Sequence, residues 1–185
     1  MKAIAVLLAS VLAAFPAVAQ PPAVSPDLSP EVAAEVFKSA VTEACVPAVT
    51  GGGISALPEA QRGRLRPTND AETRKQAGAG LDETVWDVMD GKGVVTVRER
   101  SGRCVVSVYG PAAAKTIASV AQALIGPPGF QRMAAPAVEA NGMGQTLYFS
   151  SNGRAVMVKL SGSEPGMPGH QSRFSVVTAT VFLAQ

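Results

Sequence analysis

The chain is poor in the side chains that most catalytic sites need. It contains a single histidine, His170, and no nucleophile elbow, Walker loop or H-E-x-x-H motif. A Ser-His-Asp triad would have to use His170, which follows a glycine- and proline-rich loop from Ser161 to Gly169. A general base needs a fixed neighbour, and the sequence around His170 marks none. We therefore predict an exposed loop histidine rather than a catalytic one.

The chain also lacks a large excess of one charge. Lys and Arg number 16 against 14 for Asp and Glu, and loss of Lys2 with a signal segment would leave 15 against 14. A generic nucleic-acid binder carries a large positive excess, so we predict no nucleic-acid partner. Aromatic residues make up only 5% of the chain, whereas its 18 glycines and 14 prolines indicate extensive loops.

No apolar run is long enough to cross a bilayer. The longest one, Ala3 to Phe15, follows the positive charge of Lys2 and precedes the small-residue segment Pro16–Ala19. This pattern predicts a secretory signal peptide over residues 1–19, with Gln20 as the new N-terminus. We expect a periplasmic or secreted protein with no membrane span after signal removal. The proline-rich segment 20–29 is predicted to be a flexible leader.

Cysteine is scarce as well, with only Cys45 and Cys104 present. In an oxidising compartment an isolated pair most often forms a structural disulfide, and the spacing is not the C-x-x-C of a catalytic dithiol. The chain-entropy model gives roughly 4 kcal/mol for closing a loop of about 60 residues. We predict a Cys45–Cys104 bridge, with free thiols or a redox role as the alternatives.

Residues 30–46 predict the first helix. Ser29 is a suitable N-cap and Pro30 suits the first turn. Apolar residues recur at helical spacing from Val32, and Cys45 lies on that apolar face. Pro47 and the three glycines that begin at residue 51 are expected to end the helix.

The segment from 51 to 83 is polar, basic and rich in glycine. We predict a loop-rich insertion here, interrupted by a short helix that Asn69 and Glu72 would cap and that runs to about Ala77. Gly78 and Gly80 would stop that helix.

From Thr84 the pattern changes to strands. A first strand is expected over 84–88, and residues 94–100 and 103–109 form a hairpin candidate around Ser101-Gly102. A second hairpin, 146–150 with 154–160, has the type I′ turn signal Asn152-Gly153. The last strand, 173–183, is apolar on both faces, which favours an interior position.

A second helix is expected between Pro111 and the glycine and prolines that follow Ile125. The short connections within the hairpins favour antiparallel pairing. The sequence therefore predicts one α+β domain over 30–185, with an antiparallel sheet of about five strands, two helices packed on one face, and a single disulfide.

The most distinctive polar cluster is basic. Arg98, Arg100 and Arg103 lie on the first predicted hairpin, and strand alternation places Arg98 and Arg100 on one side. The simplest interpretation is a solvated sheet face. The functional interpretation is contact with an anionic ligand or partner of the cell envelope, with Tyr109 and Tyr148 supplying flat contact surface on the same side. Trp86, the only tryptophan, is predicted to lie in the core.

Methionine and histidine raise a further alternative. Met143, Met167 and His170 are soft donors that suit Cu(I), although metal carriers of this kind usually have many more such residues close together. Methionine also fills gaps in cores without any function. We therefore assign no catalytic, cofactor or metal site and expect no cofactor.

One resemblance adds to these patterns. It rests on the following residues: Phe37, Cys45-Val46-Pro47, Trp86, the run Cys104–Val108, and Leu147-Tyr148 before Asn152-Gly153. Over most of the mature chain they resemble a group of small, secreted bacterial proteins of unknown function. The resemblance implies an envelope location and a disulfide, and it supplies no catalytic residue.

The functional expectation is a non-catalytic binding or envelope-associated domain in the periplasm, whose partner is an envelope component or a protein. The first alternative is a small periplasmic hydrolase with a site assembled around His170. The second is a weak Met/His copper-binding protein. A further class is a structural or inhibitory protein that acts through its sheet edge.

Overall fold

The structure is a computed structural model, and it describes residues 28–88, 93–110, 113, 116–126, 129–133, 137–138, 145–151, 156–162 and 176–183. The predicted signal peptide, most of the predicted leader and the Asn152-Gly153 turn lie outside these residues. The last two leader residues belong to the fold, since Leu28 is buried and the Ser29 hydroxyl accepts a hydrogen bond from Val32 N at 3.3 Å.

The first helical stretch is longer than predicted. It consists of α1 (Pro30–Ser39), a π-helical turn (Ala40–Cys45) and α2 (Val46–Gly51). The expected end at Pro47 is wrong, because the helical backbone continues from the π-helical turn through Cys45 and Val46 into α2, which contains Pro47. The helix ends instead at Gly52, whose φ of +90° is left-handed.

The remaining helical segments are short apart from one. They are a 3₁₀ turn (Ile54–Ala56), α3 (Glu59–Arg62), α4 (Ala71–Ala77) and α5 (Thr116–Ile125). The predicted short helix in the 51–83 segment is therefore present as α4. Its N-cap is Asp70, which accepts from Thr73 N at 2.9 Å, and not Asn69.

The sheet is larger than predicted, and the expectation of about five strands is wrong. The strands are β1 (Leu65–Thr68), β2 (Thr84–Val88), β3 (Val95–Arg100), β4 (Arg103–Tyr109), β5 (Phe130–Arg132), β6 (Ala137–Val138), β7 (Gln145–Ser151), β8 (Val156–Gly162) and β9 (Val176–Leu183). Eight of them follow the order β1-β2-β3-β4-β9-β8-β7-β5, all antiparallel, and β6 also pairs with β7. The α+β class itself is right.

The inner face of the sheet carries the core. A row of apolar side chains crosses it from β2 to β7 in direct register: Trp86, Val97, Val106, Ala179, Leu160 and Leu147. α1, the π-helical turn, α2 and α5 cover this face, with Phe37 and Leu124 fully buried against it. β9 lies between β4 and β8, as its two apolar faces predicted.

The predicted disulfide is confirmed. Cys45 of the π-helical turn and Cys104 of β4 are bonded, with 5.5 Å between their Cα atoms, and both are fully buried. The bridge ties the helical layer to the inner face of the sheet.

The two helices predicted to share one face of the sheet do so as α1 and α5, but a further helix, α4, lies on the opposite, outer face, so the picture of two helices on one face is incomplete. Arg98 and Tyr109 belong to that outer face, since the register alternates them with Cys104 and its neighbours. The Arg98 guanidinium donates to Gly78 O just after α4 at 2.6 Å, and the Tyr109 hydroxyl donates to Gln76 O within it at 3.0 Å. α4 therefore covers β2 and β3 from outside. Within the described residues, no helix combines the length and apolar character that crossing a bilayer requires.

Candidate functional site: a groove at the end of the first hairpin

A cavity lies where the β3–β4 hairpin ends beneath α2. Its volume is ≈ 720 Å³. We call it the rim groove and define it by six of its lining residues: Gly52, Gly53, Trp86, Glu99, Arg100 and Arg103. The glycine loop after α2 forms one wall and the hairpin end forms the other, and the disulfide joins the π-helical turn that precedes α2 to β4 of this hairpin.

Glu99 fastens the two walls together. Its Oε1 accepts a hydrogen bond from Ile54 N at 2.7 Å, and its Oε2 accepts one from Trp86 Nε1 at 3.0 Å. Hydrogen bonds to an ionised carboxylate are among the stronger ones in proteins. Trp86 is only 2% exposed, so its N–H has no alternative partner in water. Glu99 therefore holds the loop after α2 against the sheet, and Trp86 is part of the core, as predicted.

Gly53 is required by this contact. Its φ is +98°, which side chains rarely adopt, and a Cβ atom built on it would collide with Glu99 Oε1. The loop can approach the carboxylate so closely only because this position has no side chain.

The groove brings together two of the three predicted arginines. Arg100 and Arg103 are directly opposite each other at the end of the hairpin, and both are exposed. The only described ion pair of Arg100 is with Asp82, at 3.8 Å between Nη1 and Oδ2, and this Asp82 side chain is 73% exposed. Both arginines thus line the groove, and the described counter-ion of Arg100 is an exposed carboxylate.

Arg98 lies elsewhere and has a structural role. Besides Gly78 O, its Nη1 contacts Glu83 Oε2 at 3.5 Å, and the Glu83 side chain is only 11% exposed. Arg98 anchors the C-terminal end of α4 on the outer face. It does not line the rim groove.

The two tyrosines lie on the outer face, on the same side as Arg98. Tyr109 is engaged by its hydrogen bond to Gln76 O. Tyr148 of β7 is directly opposite Lys159 of β8, whose Nζ lies 6.0 Å from the centroid of the ring. Tyr148 therefore remains available for contact, whereas Tyr109 serves the packing of α4.

The other candidate residues lie outside the described part of the structure. These are His170, Met143 and Met167, so neither the hydrolase nor the copper alternative gains support here. Within the described ranges, no cluster of three or more His, Cys, Asp or Glu side chains is placed to hold a metal ion. The described lining of the rim groove contains no histidine, and Glu99 is committed to Ile54 and Trp86. The lining also includes Arg100 and Arg103, the hydroxyl-bearing residues Ser55 and Ser101, and Asp82.

Sequence reasoning did not identify Glu99 and Asp82 as part of the site. Both hydrogen-bond partners of Glu99 are distant in the sequence: Ile54 is 45 residues away and Trp86 is 13 residues away. A local signal could have identified Glu99, because it is the one acidic residue between Arg98 and Arg100 at the basic end of its strand.

Comparisons with known proteins do not name this site. A scan against protein-family models, a search of curated proteins and a search of solved structures found no match to the chain.

Proposed function

We propose that this protein is a non-catalytic binding domain exported to the cell envelope, and that the rim groove holds an anionic group of its ligand. The observation that carries the proposal is that Arg100 and Arg103 are directly opposite each other and line the same cavity. Arg is suited to this task because its planar guanidinium binds carboxylate and phosphate groups with two parallel hydrogen bonds.

The counter-ion of Arg100 supports the proposal. An exposed ion pair contributes about 0–1 kcal/mol, because water and salt screen both partners. The Arg100–Asp82 pair is of this kind, with side chains 49% and 73% exposed. An incoming anion can therefore replace Asp82 at little cost.

The rigidity of the groove supports it as well. Cys104 lines the groove next to Arg103, and its bridge to Cys45 fixes the hairpin relative to the helical layer. Glu99 fixes the opposite wall. A preformed site loses less conformational entropy when its ligand binds.

The test uses the mature protein with galacturonate and inorganic phosphate as small anionic probes, followed by amide and indole chemical shifts in NMR spectra. We expect shifts at Arg100, Arg103 and the Trp86 indole, and their loss in the Arg100→Gln/Arg103→Gln double variant. The matched control is Lys38→Gln/Lys75→Gln, which removes two positive charges from α1 and α4. Binding that is equal in the two double variants would overturn the proposal.

A further inference from the structure

The outer face of the sheet is divided into two unequal halves. Over β2 and β3 it lies beneath α4, and we call this part the covered half. Over β9, β8 and β7 its described side chains are half-buried or exposed, apart from the buried Thr146, and we call this part the open half together with the adjoining Arg103 at the end of β4. The open half presents these side chains: Thr178, Thr180, Phe182, Met157, Lys159, Ser161, Tyr148 and Ser150.

The open half carries positive charge only. No Asp or Glu occurs in the sequences of β4, β9, β8 or β7. The cations of these four strands are Arg103, at the end of β4, and Lys159, in the middle of β8. An anionic ligand that crosses this face therefore meets no carboxylate from the strands beneath it.

The remaining surface is rich in hydroxyl groups. Four threonine and serine side chains of the open half each offer a donor and an acceptor: Thr178, Thr180, Ser161 and Ser150. Tyr148 is 36% exposed and adds the ring that Lys159 approaches. The face thus combines cations, hydroxyls, the exposed ring of Tyr148 and the half-buried ring of Phe182.

Distance sets the size of the ligand. Arg103 on β4 and Lys159 on β8 are two strand spacings apart, which is about 10 Å at the usual separation of neighbouring strands, and their partners on β9, Phe182 and Thr180, are two residues apart. Arg103 also lines the rim groove, so the groove and the open half are continuous at this residue. A chain of linked units can contact Arg103 and Lys159 at the same time and meet the hydroxyl groups that lie between them.

We propose that the ligand is an acidic glycan, a chain of linked sugars with carboxylate groups. This inference rests on the proposed function: one acidic unit binds Arg100 and Arg103 in the rim groove, and the following units cross the open half to Lys159 and Tyr148. The sugar hydroxyls pair with the threonine and serine side chains, and Tyr148 packs against the apolar side of a ring.

The observations favour a glycan over a single-stranded nucleic acid. Proteins bind single-stranded nucleic acids by stacking successive bases on several aromatic rings in a groove that carries many cations. Among the described residues, Tyr148 is the one exposed aromatic ring of the open half, and Lys159 and Arg103 are its two cations. The hydroxyl groups of the open half outnumber its cations and its aromatic rings.

The experiment compares ligand length and charge on the mature protein. The probes are galacturonate, its linear hexamer, an uncharged maltohexaose and an oligothymidylate with the same charge as the hexamer. Titration calorimetry gives the affinities. We expect the hexamer to bind at least about tenfold more tightly than the monomer, because the second contact is then intramolecular. Maltohexaose is expected not to bind.

The variants separate this inference from the proposed function. Lys159→Gln should weaken hexamer binding by about three- to fivefold, the value of one exposed charge contact, and leave monomer binding unchanged. Lys38→Gln, on α1 at the opposite side of the sheet, is the matched control and should change neither. Arg100→Gln/Arg103→Gln should abolish both. Amide shifts of Tyr148, Lys159 and Thr180 in the unmodified protein give a readout that needs no variant.

Three outcomes overturn the inference while the proposed function stands: equal affinity for monomer and hexamer, an unchanged hexamer affinity in Lys159→Gln together with unshifted open-half amides, or tighter binding of the oligothymidylate. Absence of any binding that depends on Arg100 and Arg103 overturns the proposed function itself, and this inference with it.

Discussion

The covered half and the open half of the outer face belong to one sheet but differ in how their charged side chains are paired. In the covered half the charged groups are paired: Arg98 binds Gly78 O and Glu83, and buried Asp87 accepts from Val88 N and Gly93 N. In the open half Lys159 faces a tyrosine ring and no acid of its own strands. Where a helix lies on the sheet, charge must be neutralised within the fold, because burial of an unpaired charge is costly. Where no described helix lies on it, charge remains available to a ligand.

The largest effect on stability should come from the Cys45–Cys104 disulfide on the inner face of the sheet. Replacing the buried pair by Cys45→Ala/Cys104→Ala should lower the free energy of unfolding by about 4 kcal/mol, because the unfolded chain regains the freedom of a 60-residue loop. Urea denaturation of the oxidised and variant proteins measures this. A loss below about 1 kcal/mol would show that packing alone joins the helical layer to β4.

The next effect concerns the wall of the rim groove. Glu99→Ala should cost about 2–3 kcal/mol, because it leaves Ile54 N–H and the buried Trp86 Nε1–H without their acceptor. The readouts are urea denaturation and a shift of the Trp86 fluorescence maximum. Glu59→Ala on α3 is the control, since its ion pair with Arg66 is exposed and should contribute no more than about 0.5 kcal/mol. Equal losses in the two variants would contradict the role given to Glu99.

The covered half should respond less. Arg98→Ala should cost about 1–2 kcal/mol, because it removes a charged donor from Gly78 O at the end of α4. Amide hydrogen exchange should then accelerate in α4 and remain slow in β9. The same change at Arg100 should cost less than about 0.5 kcal/mol. If Arg98 and Arg100 gave the same loss, the division between a structural and a ligand-binding arginine would be wrong.

The open half should be the least sensitive. Lys159→Gln and Arg103→Gln should each alter the free energy of unfolding by less than about 0.5 kcal/mol, because exposed charges contribute little to folding. Thermal unfolding measures this directly. A destabilisation of the size expected for Arg98→Ala would show that Lys159 is paired within the fold, and the contrast between the two halves would disappear.

What the sequence could predict depends on how local the cause is. The start of α1 was predictable, because the Ser29 cap and Pro30 act within one turn. The strands of the first hairpin and the interior position of β9 followed from alternation. The Cys45–Cys104 bridge followed from the inferred compartment and from the absence of other cysteines.

The errors have non-local causes. β1 contains Pro67 and β6 has only two residues, so their strand character exists only through pairing with β2 and β7. The separation of Arg98 from Arg100 depends on a carbonyl 20 residues away from Arg98. No local sequence pattern indicates which of the two arginines will donate a hydrogen bond to the end of α4.

The central place of β9 has a consequence for the order in which the molecule is built. The strands on one side of it, β1 to β4, and those on the other, β5 to β8, touch through β9, which comes after all of them in the sequence. Cys45 and Cys104 both precede it, so their oxidation does not have to wait for it. The β1–β4 and β5–β8 parts of the sheet can therefore form separately, the first of them already cross-linked by the disulfide. β9 then pairs with both and joins them into one sheet. Such late closure across about 70 residues of chain is expected to be the slow step of folding.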